Sequence, residues 1–404
     1  LLSKKIQKMK KKKILILSQV FYPEQFPINL ISEKLHYFNY DVSALTGYPT
    51  YPKFYKYKNL FKLFPSTTYY KKTKIYRVPI FPRFNNSSLC LILNYLSFVF
   101  SGIIFSFFLL FKKKIDYVFV YATSPILQAL IGIFLKKTKK TKLIIWVQDL
   151  WPDSLEYTGY IKNRFLLGFI KKLVKYIYNQ SDLLLVQSAS FKRDIKKITN
   201  RKIIVIPNPS KDFFLKKKIN KKKNNIKFLY AGNIGKVQSI EKIVSLAKSV
   251  QNKINISFEI IGSGSDAKNI YDLIKKHKLK NLKYKQQKSY NEIKKEYRKA
   301  DILIAILKKH NLSEKTIPSK IQAYMSAGKP LLCCIQGESA KLIKNANCGF
   351  VCKNGVKDLN NMVLKISKIK KASMIKLGIN ARQFFLNNFT VNVITSQIDI
   401  AIND

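Results

Sequence analysis

The sequence predicts an α/β chain of two doubly wound, Rossmann-like domains facing a cleft. Three observations lead there. Short, continuous apolar runs recur along the chain, the pattern of strands buried on both faces of a parallel sheet. Helical stretches separate them, and the whole alternation restarts after a lysine-rich interruption at residues 214–225. With 404 residues, the chain is too long for one ordinary core and suits two domains of about 200 residues each.

In chain order, residues 14–17, 42–45, 117–121, 143–147, 183–186 and 203–206 read as strands of an N-terminal domain spanning 1–213. Within it, residues 89–111 hold no charge and are followed by Lys112, Lys113 and Lys114. Their length suits a membrane span. Asn94, Ser97, Ser101 and Ser106 interrupt the stretch, however, and a span would put two halves of one sheet on opposite sides of a bilayer. The segment is therefore expected to pack in the domain or rest on a membrane. The polar stretch 214–225 reads as a linker. The C-terminal domain, 226–385, takes strands at 227–230, 258–261, 302–306 and 331–334. Residues 386–404 are expected to form a helix returning to the first domain. The first residues lack a signal-peptide pattern, with Met9 a possible start.

The formal charge is +53, but only seven of the 75 basic residues are Arg. Nucleic-acid readers lean on Arg for bidentate contacts, so this lysine bias argues against nucleic acid and toward an anionic membrane surface. Five cysteines without zinc-type spacing read as free thiols in a reducing compartment. Three scattered histidines and the absence of a D-x-D pair argue against a metal site.

Chemistry is expected in the loops that follow the strands. The first, S-Q-V-F-Y-P-E-Q-F-P-I-N (18–29), has no dinucleotide fingerprint. The loop W-V-Q-D-L-W-P-D-S places Gln148, Asp149, Trp151 and Asp153 at one wall; an acid beside an exposed Trp suits a sugar, unless Trp151 packs inward and Asp153 caps the next helix. Two glycine loops follow: A-G-N-I-G-K-V-Q, with Gly232, Asn233 and Lys236, and G-S-G-S-D, with Gly262, Ser263 and Gly264. Each allows close backbone approach to a ligand. Finally, L-S-E-K-T-I-P-S-K-I-Q-A-Y-M-S-A-G-K-P (312–330) has an acid, Glu314, in a polar loop before a helix. Ser319 reads as its N-cap, with Gln322 completing a capping box. The helix end with Lys320 makes a phosphate site.

The order A-G-N-I-G, I-G-S-G, A-D-I-L-I-A, P-S-K…Y-M-S-A-G-K-P and G-E-S-A-K-L-I…N-C-G-F-V resembles the donor domain of family 4 retaining glycosyltransferases, which have the GT-B fold. L-T-G-Y-P-T-Y-P, V-Q-D-L-W-P-D-S and I-P-N-P are similar to a subgroup of bacterial O-antigen and capsule enzymes that includes L-fucosamine transferases. The resemblance implies a nucleotide diphosphate donor, UDP-linked, carrying an N-acetylated hexosamine or deoxyhexosamine. It implies a polyprenyl-diphosphate-linked saccharide as acceptor, retention of configuration, no cofactor, and a peripheral position on the cytoplasmic face of the plasma membrane.

By residue, the helix end at Ser319 and Lys320 is expected to take the diphosphate. Gly232, Asn233, Lys236, Gly262, Ser263 and Gly264 line the nucleotide side, and Glu314 and Glu338 bind donor hydroxyls. Asp149 faces the acceptor, with Gln148, Trp151 and Asp153 beside it. Asp149, Glu314 and Lys320 form the catalytic set. The family's E-x7-E pair falls on Glu314 and Gln322 by spacing, or on Lys315 and Ala323 by the downstream G-K-P; both placements are open. The family's diphosphate-binding Arg and Lys match Asn233 and Gln238, and its acceptor-side His matches Gln148. Two other functions stay open: a nucleotide-sugar epimerase of the same fold, and a non-enzymatic basic scaffold on membranes.

Overall fold

The computed structural model describes residues 11–51, 54–84, 87–108, 113–158, 163–215, 225–252 and 255–404. Most of the linker (216–224), the end of the apolar stretch (109–111) and Met9 lie outside them. The chain divides into two compact units, Leu1–Pro207 with Val391–Asp404, and Asn208–Thr390.

The first unit is built on eight strands: β1 (Lys12–Leu17), β2 (Tyr40–Gly47), β3 (Ser66–Tyr70), β4 (Thr73–Val78), β5 (Tyr117–Ala122), β6 (Lys142–Val147), β7 (Leu183–Val186) and β8 (Lys202–Val205). Their order is β3-β4-β2-β1-β5-β6-β7-β8, all parallel except the β3–β4 hairpin. β5 and β7 are buried at every position, as continuous apolar runs require. β3, at the sheet edge, has no buried position, which is why no apolar run marks it. The chain winds outward both ways from β1 and β5, so the loops after these strands sit at a topological switch point. The helix Val391–Asn403 belongs to this unit: Ile394, Ile398 and Ile402 join the core around Ile28 and Leu35, and Tyr40 donates to Asp399 at 2.8 Å.

The second unit holds six parallel strands, β9 (Ile226–Ala231), β10 (Ile256–Ile261), β11 (Leu282–Lys285), β12 (Ile302–Ile306), β13 (Leu331–Cys334) and β14 (Gly349–Val351), in the order β11-β10-β9-β12-β13-β14. Its switch point lies between β9 and β12, where the loops 232–238 and 307–318 emerge. Apolar layers cover both faces of the sheet. The free thiols Cys333, Cys334, Cys348 and Cys352 are buried, and Cys90 is half-buried.

The unit boundary falls at Pro207/Asn208, earlier than the expected 213/214. Residues 208–214 are fastened to the second unit. Ser210 N–H donates to Phe389 O (3.0 Å), Phe213 N–H donates to Ser326 Oγ (3.1 Å), and Arg382 holds both oxygens of Asp212 at 2.6 and 2.7 Å. The returning segment likewise starts at Val391, not 386, because Phe385 and Phe389 are buried in the second unit's core.

Candidate functional site

In the second unit the ends of β9 and β10 lie side by side, and two glycines let the following loops touch. A Cβ on Gly262 would stand 1.9 Å from the Gly232 carbonyl oxygen, so no side chain fits there without moving backbone. The pairing continues past the strands: Gly232 N–H donates to Ile261 O (3.0 Å), and Ile234 N–H donates to Ser263 O (2.9 Å). Gly232 takes φ +145°, a conformation open to glycine alone at little cost. Asn233, Lys236, Ser263 and Gly264 are all exposed along the rim. Asn233 Nδ2 and Gly235 N–H both donate to Gln238 Oε1, at 3.3 and 3.0 Å. Gln238 thus shapes the turn, at the position matched to the family's cationic residue.

Lys320 fills the space beside Gly232, its Nζ 3.4 Å from where a Cβ there would stand. It donates to Tyr230 Oη at 2.5 Å and lies 3.8 Å from that ring's centroid. Tyr230 is buried, and its own hydroxyl donates a hydrogen bond to Asn233 O at 2.6 Å. No carboxylate pairs with Lys320 among the described residues, and burial pushes its pKa down to about 7. The residue is half-buried with its ammonium against Tyr230, so the charge is desolvated without a counter-ion among the described residues. An arriving anion would relieve that penalty.

The helix carrying Lys320 runs Ser319–Ser326, and its cap corrects the sequence reading. Pro318, not Ser319, is the N-cap residue, and no side chain caps the end. Ser319 is exposed in the first turn. Gln322 forms no capping box: it is 2% exposed, and its Nε2 donates to Asn208 O at 2.9 Å. Proline supplies the extended entry and its carbonyl accepts from Ile321 N–H at 2.9 Å, but it has no side-chain acceptor. The N–H groups of Ser319 and Lys320 therefore have no protein acceptor among the described residues, which leaves two donors beside the ammonium.

The loop expected around Glu314 is a short helix, Asn311–Lys315, capped by His310, whose Nδ1 accepts from Leu312 N–H at 3.1 Å. Gly337, at φ +71°, packs directly on it: a Cβ there would lie 2.0 Å from Glu314 O. The next residue, Glu338, opens the helix Glu338–Asn345. Glu314 and Glu338 are thereby drawn into one neighbourhood, clamped further by Ser339 Oγ on Thr316 O at 3.0 Å. Lys308 N–H reaches Val237 O at 2.7 Å and ties this loop to the turn after β9.

In the first unit, Asp149 follows β6 and accepts from Ser124 N–H through Oδ2 at 3.0 Å. Burial raises its pKa. Trp151 does not present a sugar platform. It is 8% exposed, and its indole N–H donates to Ser124 Oγ at 2.7 Å, because a buried indole needs an acceptor. It thus braces the loop that Asp149 also holds. Asp153 starts the helix Asp153–Thr158 and is exposed; Gln148 is half-buried, its N–H on Ala122 O at 3.0 Å.

Sequence reasoning passed over Glu24, which lies 2% exposed after β1. Its Oε1 accepts from Thr50 and Tyr51 N–H (3.0 and 2.6 Å) and its Oε2 from Phe21 N–H (3.3 Å). It pins two loops at the switch point together. Burial pushes its carboxyl up to about 7. Because the folded pKa exceeds the unfolded one, the folded state holds more protons between about 4.5 and 7. Stability from Glu24 is therefore present below pH 4.5 and lost as pH rises through 7. Thermal unfolding of the wild type should occur lower at pH 8 than at pH 6, and Glu24→Gln should shrink that difference.

Among the described residues no three His, Cys, Asp or Glu gather closely enough to share a metal ion. Residues 211–384 match the family described as glycosyl transferases group 1. Over 292 residues the chain is 26% identical to a probable glycosyltransferase, WbjE, of Pseudomonas aeruginosa, covering 67% of this chain and 70% of that one. Among solved structures it is similar to sucrose-phosphate synthase from Thermosynechococcus elongatus (TM-score 0.73, 14% identity, 97% and 98% of the two chains). It is also similar to Anabaena HepE in complex with UDP-glucose (TM-score 0.68, 13% identity, 97% and 99%). The fold is GT-B, with a Rossmann-like sheet in each unit.

Proposed function

Taking the chain as a glycosyltransferase, which the family match and the WbjE likeness support, we propose that it is a family 4 enzyme acting in O-antigen or capsule synthesis. It moves an N-acetylated hexosamine or deoxyhexosamine from a UDP-linked donor to a polyprenyl-diphosphate-linked saccharide. It works at the cytoplasmic face of the plasma membrane, with retention and without a metal. The observation that carries this reading is the Lys320 ammonium, held by Tyr230 and with no carboxylate partner among the described residues, beside two helix N–H groups without an acceptor among them and bordered by the Gly232–Gly262 contact. HepE, similar in fold, is solved with UDP and with UDP-glucose, which agrees with a nucleotide sugar here.

When the bond from the anomeric carbon to the diphosphate breaks, positive charge grows on the sugar and negative charge on the leaving phosphate. Lys320 and the Ser319 and Lys320 N–H groups meet that negative charge, already oriented and shielded from water. Glu314 and Glu338 accept hydrogen bonds from donor hydroxyls. Asn233, Lys236 and the backbone at Gly262–Gly264 border the nucleotide. In the first unit Asp149 keeps Oδ1 for the acceptor hydroxyl while Oδ2 holds Ser124. Gln148 and Asp153 flank it.

The donor should favour the charged form of Lys320, whose pKa in the empty site is about 7. kcat/KM for the donor, which reports the free enzyme, should fall as pH rises through 7. Lys320→Arg, charged at all these values, should flatten that limb. The function itself is tested by incubating the protein with a panel of UDP-sugars, with and without lipid-linked acceptor and chelator. Acceptor-dependent, chelator-insensitive transfer with retention supports the reading. Conversion of donor to its epimer without acceptor would replace it by the epimerase reading.

A further inference from the structure

The helix Ser88–Phe108 carries no charged residue along 21 positions, and its two faces differ. One face, with Leu91, Asn94, Phe98, Gly102 and Phe105, is buried in the first unit. Asn94 locks it: Nδ2 donates to Phe81 O (2.6 Å), while Oδ1 accepts from Gln19 Nε2 (2.7 Å) and Arg83 Nε (2.9 Å). Gly102 packs against Ile131 so closely that a Cβ would lie 2.4 Å from its Cδ1. The other face shows Leu89, Leu96, Phe100, Ile104, Phe107 and Phe108 to solvent, with Phe100 69% and Phe108 72% exposed.

A basic cavity of about 510 Å³ adjoins the C-terminal end of this helix, lined by Lys113, Lys114, Asp116, Lys139, Lys140 and Lys142. Its carboxylate is already engaged: Asp116 accepts from Lys13 N–H at 2.7 Å and pairs with Lys114 at 3.5 Å. The cavity is joined to the helix through Lys113, which donates to Tyr76 Oη at 2.6 Å, and Tyr76 in turn packs on Phe105 with centroids 5.5 Å apart. The helices Ser88–Phe108 and Arg164–Gln180 both pack on the helix Ala129–Lys139. Arg164–Gln180 exposes Phe165 and Phe169, and Lys171, Lys172 and Lys175 beside them.

We propose that this helical layer is a docking surface for an anionic phospholipid bilayer, with Ser88–Phe108 lying in the interface and lipid phosphates held at the Lys113–Lys142 cavity. The chemistry calls for both parts of such a partner. Exposed aromatic and aliphatic side chains enter the acyl boundary, and a lysine cluster at the helix end meets anionic headgroups. A membrane-crossing helix is disfavoured because it would strip Asn94 of three hydrogen bonds and Gly102 of its packing. The inference names the surface by which the proposed membrane setting is achieved. It is read without any sugar substrate, so it stands or falls separately from the transfer chemistry.

The test is co-sedimentation of the full chain with phosphatidylcholine vesicles, with and without phosphatidylglycerol, at low and high salt. Wild type should bind the anionic vesicles at least tenfold better than neutral ones and release in high salt. Leu96→Glu with Phe100→Glu, both at exposed positions, should lower that binding tenfold or more. Lys114→Gln, Lys140→Gln and Lys142→Gln together should remove the anionic preference. As a second readout, an environment-sensitive dye at Phe100→Cys, in a Cys90→Ser background, should shift to the blue with anionic vesicles. Unchanged binding in both variants and no dye shift would overturn the proposal. So would a dimer abolished by Leu96→Glu, or retention in the membrane after alkaline extraction.

Discussion

Lys320→Ala is expected to lower kcat by about 10²- to 10³-fold, the loss typical of removing one preorganised donor from a developing oxyanion. The stem packs beside Gly232 and the ammonium sits over Tyr230 with no carboxylate partner among the described residues, so the folded protein loses little when it goes. An unpaired, desolvated charge is a cost to folding. The melting temperature of Lys320→Ala should accordingly equal or exceed that of wild type. Loss of turnover together with loss of stability would mean a structural lysine. Turnover within a few-fold of wild type would remove Lys320 from the diphosphate.

Gly262→Ala is expected to act through the backbone. The added methyl would collide with the Gly232 carbonyl at 1.9 Å, and neither partner is a flexible side-chain end that could swing away. Gly262 N–H is tied to Lys285 O at 3.1 Å, and its carbonyl accepts from Tyr284 Oη at 3.1 Å, so the two loops must separate. A destabilisation of about 1–3 kcal/mol is expected from such overpacking, read as a lower urea midpoint. Donor affinity should fall with it, because Gly232 is displaced from Lys320. Alanine at Gly168, which has nothing within 4 Å of its Cβ position and lies inside the helix Arg164–Gln180, serves as the control: it should leave donor affinity unchanged and raise rather than lower the urea midpoint.

Ten strands were legible in the sequence: β1, β5, β6, β7, β9, β10, β12 and β13 announce themselves as apolar runs, and the short stretches 42–45 and 203–206 mark β2 and β8. β3, β4 and β11 escaped because Thr, Tyr, Lys and Arg break up their few apolar residues, even though β4 is largely buried. β14 is three residues long and partly exposed throughout. The glycine loops were legible because close backbone approach leaves glycine as its mark. Lys320 was legible because a lysine in the first turn of a helix is visible in one dimension.

What completes the site was hidden for a different reason. Tyr230 looks like any strand residue, and nothing local indicates that its hydroxyl holds Lys320. Gln322 has the spacing of a cap, yet its partner, the Asn208 carbonyl, lies more than a hundred residues away. Trp151 reads equally well as a sugar platform or a brace, and only the position of Ser124 decides. Glu24 sits in a loop without a motif, and its burial depends on backbone donors from residues 50 and 51. Each of these is a tertiary pairing, which local pattern does not encode.

The most direct measurement is a crystal structure of the protein with UDP. The diphosphate oxygens should lie within hydrogen-bond distance of Lys320 Nζ and of the Ser319 and Lys320 backbone N–H groups, with the nucleotide along Gly232 and Gly262–Gly264. A diphosphate bound elsewhere, with Lys320 still on Tyr230, would contradict the donor site described here.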